Sequence, residues 1–195
     1  MKRYFPFFFP IISFFILTFS FSLIISGCSH SQGNVVNSTG NIAVFETNMG
    51  TFSVQLYPDK APQTVKRIKE LISKNFYDSL IFHRVIDGFV IQGGDPTGTG
   101  VNGSGQTIPD EFDNGLKHDK EGVVAMANVA GRKNSQDSQF YITLAPEPHL
   151  DGKYTIFGQV ITGMDIVKKI SKVKTGANDK PLKNVVMLSV YLEDE

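Results

Sequence analysis

From residue 42 onward, apolar residues recur at every second position in short runs, and in two stretches they recur every third or fourth residue instead. A period of two marks a strand with one face covered, and the longer period marks a helix lying on a core. Residues 42–47 and 51–57 flank Asn48-Met49-Gly50, which predicts a hairpin with Phe52, Val54 and Leu56 on one side. Pro58 and Pro62 bracket a turn and start a helix, in which Val65, Ile68, Leu71 and Ile72 face inward and Lys66, Arg67, Lys69 and Glu70 outward. Short strands follow at 85–86 and 89–91, joined by Asp87-Gly88, and further strands at 122–128, 139–144, 154–161 and 185–192. Met164, Val167 and Ile170 mark a second helix within 163–171. Mostly antiparallel strands whose edges must be hidden predict a mainly β fold, a closed barrel with helices over its open ends.

The N-terminal stretch breaks this pattern. Lys2 and Arg3 precede a run without charge from Tyr4 through Ser29, and it holds eight of the sixteen phenylalanines. A basic start and a long apolar run have the layout of an export signal, with an uncleaved membrane anchor as the alternative. Ile25-Ser26-Gly27-Cys28 resembles a bacterial lipobox, so residues 1–27 are expected to be a signal peptide and Cys28 to carry lipid, palmitate included. Cys28 is the one cysteine of the chain and has no internal disulfide partner. Residues 28–41 are polar, uncharged and rich in Gly, Ser and Asn, a flexible tether with a reach on the order of 20 Å. The domain is then 42–195. Loss of residues 1–27 leaves 17 cationic against 19 acidic side chains, which argues against nucleic acid as a partner.

Candidate chemistry is sparse. Gly98 to Gly103 satisfies G-x-G-x-x-G, but Ser104, Gly105 and Pro109 follow where a dinucleotide site needs a helix, so the segment is expected to be a surface loop. The histidines His30, His83, His118 and His149 are scattered without ligand spacing, and Ser135 or Ser138 with His149 makes a weak case for a hydrolase. His83 is expected to be a structural hydrogen-bonding residue. The stretch 82–95, F-H-R-V-I-D-G-F-V-I-Q-G-G-D, stands apart because the hairpin would set Arg84 and Gln92 beside one apolar patch. Arg84 there is either a donor at a dry pocket or half of an ion pair with Asp87 or Asp95.

That run, together with M-A-N at 126–128, S-Q-F-Y at 138–141 and L-D-G-K-Y-T-I-F-G at 150–158, resembles the cyclophilin-type peptidyl-prolyl cis-trans isomerases over essentially all of 42–193. The resemblance implies a closed eight-stranded antiparallel β-barrel capped by two α-helices, rotamase activity and no cofactor. It places the catalytic pair on Arg84 and Gln92 and the substrate-binding residues on Phe89, Val90, Ala127, Asn128, Gln139, Tyr141, His149, Leu150 and Tyr154. Val90 stands where the family usually has methionine, Tyr141 for phenylalanine and Tyr154 for histidine. His149 replaces a tryptophan that contacts cyclosporin in many eukaryotic members, so weak cyclosporin binding at most is expected. Proline-containing polypeptides are the implied partners, while the lipobox makes a bacterial cell envelope, with a lipid anchor on Cys28, the expected location. A proline-binding module or chaperone with incidental turnover is the alternative.

Overall fold

The computed structural model describes residues 1–2 and 40–194. Residues 3–27 of the signal segment, Cys28 and all but the last two residues of the 28–41 tether lie outside the described residues. Alternation translates directly into register in the first hairpin. Strands β1 (Ile42–Thr47) and β2 (Gly50–Leu56) pair antiparallel with Phe45 opposite Phe52, whose rings stack 4.9 Å apart. Phe52, Val54 and Leu56 are all buried. Asn41, assigned by its composition to the tether, is held in the fold instead: its carbonyl accepts Leu56 N–H at 2.7 Å and its side-chain oxygen accepts Lys69 Nζ at 2.8 Å.

Helix α1 (Pro62–Ser73) buries Val65, Ile68, Leu71 and Ile72 as its periodicity requires. Arg67 is the exception. Expected to face outward, it is buried, because the loop bearing Ser104 comes back over that turn and Ser104 Oγ accepts Arg67 Nη2 at 2.7 Å. The helix start is capped from a distance as well. Ala61 offers no side-chain acceptor, and the Glu111 carboxylate takes the N–H groups of Gln63 and Thr64 (3.1 and 2.9 Å) and the Thr64 hydroxyl (2.7 Å). Those are orphan helix donors, and the negative charge opposes the positive end of the helix dipole. Glu111→Ala is therefore expected to cost about 1–2 kcal/mol of stability, read as a lower urea midpoint at unchanged slope.

Strands β3 (Arg84–Ile86), β4 (Val90–Gly93), β5 (Val123–Met126), β6 (Phe140–Thr143) and β7 (Ile156–Thr162) follow, then α2 (Met164–Ser171) and β8 (Met187–Glu193). All pairings are antiparallel, and the strands form one eight-stranded sheet in the order β3-β4-β6-β5-β7-β2-β1-β8. The two end strands share no ladder. The segment leading into β3 meets the start of β8 and the residues before it, through Ser79 N–H to Met187 O (2.7 Å), Met187 N–H to Leu80 O (2.8 Å) and Phe82 N–H to Val185 O (3.0 Å). Inside the curled sheet lie Phe45, Phe52, Phe82, Phe140 and Tyr77, with Met126, Met187, Ile91 and Ile142, and α2 adds Val167 and Ile170. No helix among the described residues is long and apolar enough to cross a membrane.

Candidate active site

Two strands depart from alternation. All four residues of Val123–Met126 and all four of Phe140–Thr143 are buried, so β5 and β6 are covered on both faces. Continuous apolar runs are what a doubly covered strand requires. Met126, Phe140 and Ile142 point into the main core, while Val123, Ala125 and Tyr141 join Val90, Leu150 and Ile156 in a second cluster on the outer face, flanked by Phe89, Leu116, Ala127 and Tyr154. Register lines up a row across this face: Arg84 opposite Gln92, Gln92 opposite Tyr141, Tyr141 opposite Ala125, and Ala125 opposite Ile156. The hairpin thus brings Arg84 and Gln92 to the rim of an apolar patch, as alternation predicts. Leu116, Val123, Ala125 and Ile156 are floor residues that sequence reading did not single out.

A polar chain holds that rim. Arg84 Nη1 donates to Gln92 Oε1 (3.4 Å), Gln92 Nε2 to Gln139 Oε1 (2.9 Å), and Gln139 Nε2 to the carbonyls of Gly100 (3.1 Å) and Asn102 (2.7 Å). Each carboxamide has one way round that satisfies both ends, so the chain sets the orientation of both glutamines. The loop supplying those carbonyls is wrapped around Asp95, which is fully buried. Its carboxylate accepts N–H from Thr97, Thr99, Gly100 and Asn102 and the hydroxyls of Thr97 and Thr99, at 2.6 to 3.2 Å. Burial works against ionisation of Asp95, but these donors outweigh it and hold its carboxyl well below the usual carboxylate range. The glycine-rich 98–103 segment is this loop and opens no helix.

The acids expected to pair with Arg84 are engaged elsewhere: Asp95 as above, and Asp87 with Lys172 Nζ at 2.7 Å. Arg84 has Asp179 instead, with Nε 3.6 Å from Oδ2, both side chains more than a third exposed. Such a pair contributes little to stability. His83 is a correction. It is buried, but neither ring nitrogen makes a hydrogen bond, although the Gln139 side chain lies close by, and burial pushes its pKa down. The flanking core residues carry the ring inward without supplying a partner.

The remaining sequence-selected residues fall around the patch. Tyr154 meets Tyr141 edge-on at 5.6 Å, and His149, exposed, stacks on Phe89 at 5.9 Å with Nδ1 3.3 Å from Glu147 Oε2. Ala127 N–H donates to the Gln139 carbonyl at 2.9 Å, and Asn128 Nδ2 to the Lys153 carbonyl at 2.9 Å. A cavity of about 400 Å³ adjoins Gln92, Ala127, Asn128 and Gln139, and another of about 410 Å³ adjoins His83, Arg84, Asn178 and Lys180. Ser138 Oγ donates to Gly94 O and Ser135 Oγ to Arg132 O, so neither serine is paired with His149. The site combines an apolar floor with a cationic donor at its rim, and it is suited to holding a ring and polarising an amide.

Residues 42–192 match the model of the family described as cyclophilin type peptidyl-prolyl cis-trans isomerase/CLD. The chain is 46% identical over 160 residues to peptidyl-prolyl cis-trans isomerase-like 1 of Gibberella zeae, covering 80% of this chain and 97% of that protein. It is 43% identical over 152 residues to a peptidyl-prolyl cis-trans isomerase of Arabidopsis thaliana, covering 76% and 92%. A crystal structure of a cyclophilin type isomerase from Cryptosporidium parvum superposes with a TM-score of 0.76 at 33% identity, covering 80% of this chain and 98% of that one. A second crystal structure of that protein, in the presence of the dipeptide Ala-Pro, superposes with a TM-score of 0.76 at 32% identity, covering 79% and 99%.

Proposed function

Because the chain belongs to the cyclophilin-type peptidyl-prolyl cis-trans isomerases, we propose that its outer apolar patch is the proline pocket and Arg84 the group that lowers the barrier to rotation. The observation that carries this is the register row, which sets the Arg84 guanidinium and the Gln92 carboxamide at the edge of Tyr141 and Ala125. Rotation about an X-Pro bond is opposed by amide resonance, a barrier of about 18–20 kcal/mol. As the bond twists, its nitrogen becomes pyramidal and gains a lone pair. A donor fixed at that point stabilises the twisted form more than either planar form, which is what accelerates the step. Phe89, Val90, Tyr141, Leu150 and Tyr154 hold the ring; Gln92, Ala127, Asn128 and Gln139 hold the peptide backbone. No proton or electron moves, so the scheme needs no cofactor. The closed barrel belongs to the same reading, with residues 79–82 and 185–187 as its seam.

Proline-containing polypeptides are the substrates in this proposal, consistent with the Ala-Pro dipeptide used with the Cryptosporidium protein. Exchange between the cis and trans forms of an X-Pro peptide is the test. Acceleration by the wild-type chain supports catalysis, and binding without acceleration would make it a proline-binding module. His149, stacked on Phe89, replaces the broad aromatic surface of a tryptophan, and cyclosporin is expected to inhibit weakly at most, which titration of the exchange rate checks.

The same proposal places the enzyme outside the cytoplasm at a membrane of a bacterial cell envelope, anchored through Cys28 and acting on exported proteins. Support comes from the sequence alone: Lys2 and Arg3, the uncharged apolar run and Ser26-Gly27-Cys28, all before the family match begins at residue 42. The relatives above are fungal, plant and protist proteins and lend this location no support. Radiolabelled fatty acid is expected to mark the wild-type protein and to leave Cys28→Ser unmarked. An unlabelled full-length wild-type form would support an uncleaved anchor instead.

A further inference from the structure

Tyr141 brings a buried hydroxyl to a mainly apolar wall, and its proton has a defined destination. The hydroxyl oxygen lies 2.9 Å from His118 Nε2, and His118 Nδ1 lies 2.9 Å from Asp151 Oδ1. The same carboxylate oxygen accepts the backbone N–H of His118 at 2.8 Å. His118 is fully buried, and its ring lies nearly parallel to that of Tyr141. Burial pushes the imidazole pKa down despite the pull of Asp151, which favours the neutral ring. An ionised carboxylate only accepts hydrogen bonds, so the single ring proton sits on Nδ1, Nε2 is the acceptor, and Tyr141 is the donor. The Tyr141 hydrogen is therefore committed to His118.

The same histidine joins three pocket-forming segments. It is two residues from Leu116, it bonds Tyr141 of β6, and it is tied to the turn carrying Leu150 through Asp151 and through its own carbonyl, which accepts Glu147 N–H at 2.7 Å. We infer that His118 is a positioning residue of the proline pocket: in its Nδ1–H form it fixes the Tyr141 ring and the Leu150 turn, and so makes a tyrosine serve as an apolar wall. The inference rests on the reading of the outer patch as the proline site. His118 touches no substrate in this scheme, so its effect falls on how well the pocket is formed and hence on substrate binding.

Two measurements test it. Nitrogen-15 NMR of the full chain labelled in histidine is expected to show His118 protonated at Nδ1 and unprotonated at Nε2; the reverse tautomer would overturn the assignment. In peptide isomerisation, His118→Ala is expected to raise KM about tenfold with kcat much less affected, because it leaves a buried hydroxyl without an acceptor. The same substitution in a Tyr141→Phe background is expected to cost about threefold or less, since no hydroxyl remains to be stranded. Equal losses in the two backgrounds, or a fall in kcat at constant KM, would show that His118 merely fills space or acts on the chemical step. If His118→Ala does not fold, His118→Leu, which keeps more of the volume but offers no acceptor, takes its place in the cycle. Lack of turnover by the unsubstituted chain would remove the proline reading itself, whereas the tautomer is read without turnover, so the two failures are distinguishable.

Discussion

Arg84→Ala is expected to lower kcat/KM for an X-Pro peptide by about 10²- to 10³-fold, the usual consequence of removing one preorganised donor from a charge-stabilising site. The fold should survive. Arg84 sits at the rim, its ion pair with Asp179 is exposed, and its bond to Gln92 is 3.4 Å long, so little stability depends on it. Gln92 stays in place through its shorter bond to Gln139. Arg84→Lys should recover only part of the loss, because an ammonium cannot reproduce a planar donor held beside Gln92. Unfolding curves coincident with wild type, alongside a collapsed exchange rate, would separate this effect from misfolding. An Arg84→Ala protein that keeps full activity would remove the arginine from the mechanism.

Asp95→Ala is expected to destabilise the domain by about 3–5 kcal/mol, the scale for removing one partner of a buried, charge-assisted cluster. Four backbone N–H groups and two hydroxyls lose their acceptor at once. Activity should fall with it, since the loop wrapped on Asp95 supplies the Gly100 and Asn102 carbonyls that hold Gln139. The depressed pKa of Asp95 gives a pH signature. Its contribution is complete above the unfolded value of about 3.9 and is lost as pH falls from there through the lower folded value. Denaturant unfolding at stepped pH below 4 checks this: the wild type should lose stability more steeply than Asp95→Asn, which has no carboxylate to protonate.

The local half of this architecture was legible in the chain. β1 has the bounds the sequence predicts for it, Phe52, Val54 and Leu56 are buried by simple alternation, and the Asp87-Gly88 turn is enough to pair Arg84 with Gln92. What escaped depends on segments remote in sequence. Arg67 looked outward because helical period is blind to a loop 37 residues away that folds over it. In the sequence His118 is one of four scattered histidines, its partners Tyr141 and Asp151 lying 23 and 33 residues further on. The acid facing Arg84 proved to be Asp179, not one of its neighbours in the chain. One missed feature did have a signal. Val123–Met126 and the first three residues of Phe140–Thr143 are continuous apolar runs, and a strand apolar on both faces announces a second covering layer, here the outer patch.

The roles proposed for the patch and its rim meet their most direct test in a single NMR titration of the labelled protein with an Ala-Pro peptide. The proposed site predicts that the Arg84 side chain, Tyr141 and Tyr154 shift together while the inner residues Phe52 and Ile142 stay still, with exchange peaks linking the peptide's cis and trans forms. Shifts that leave Arg84 and Tyr141 untouched, or binding with no gain in exchange, would contradict it.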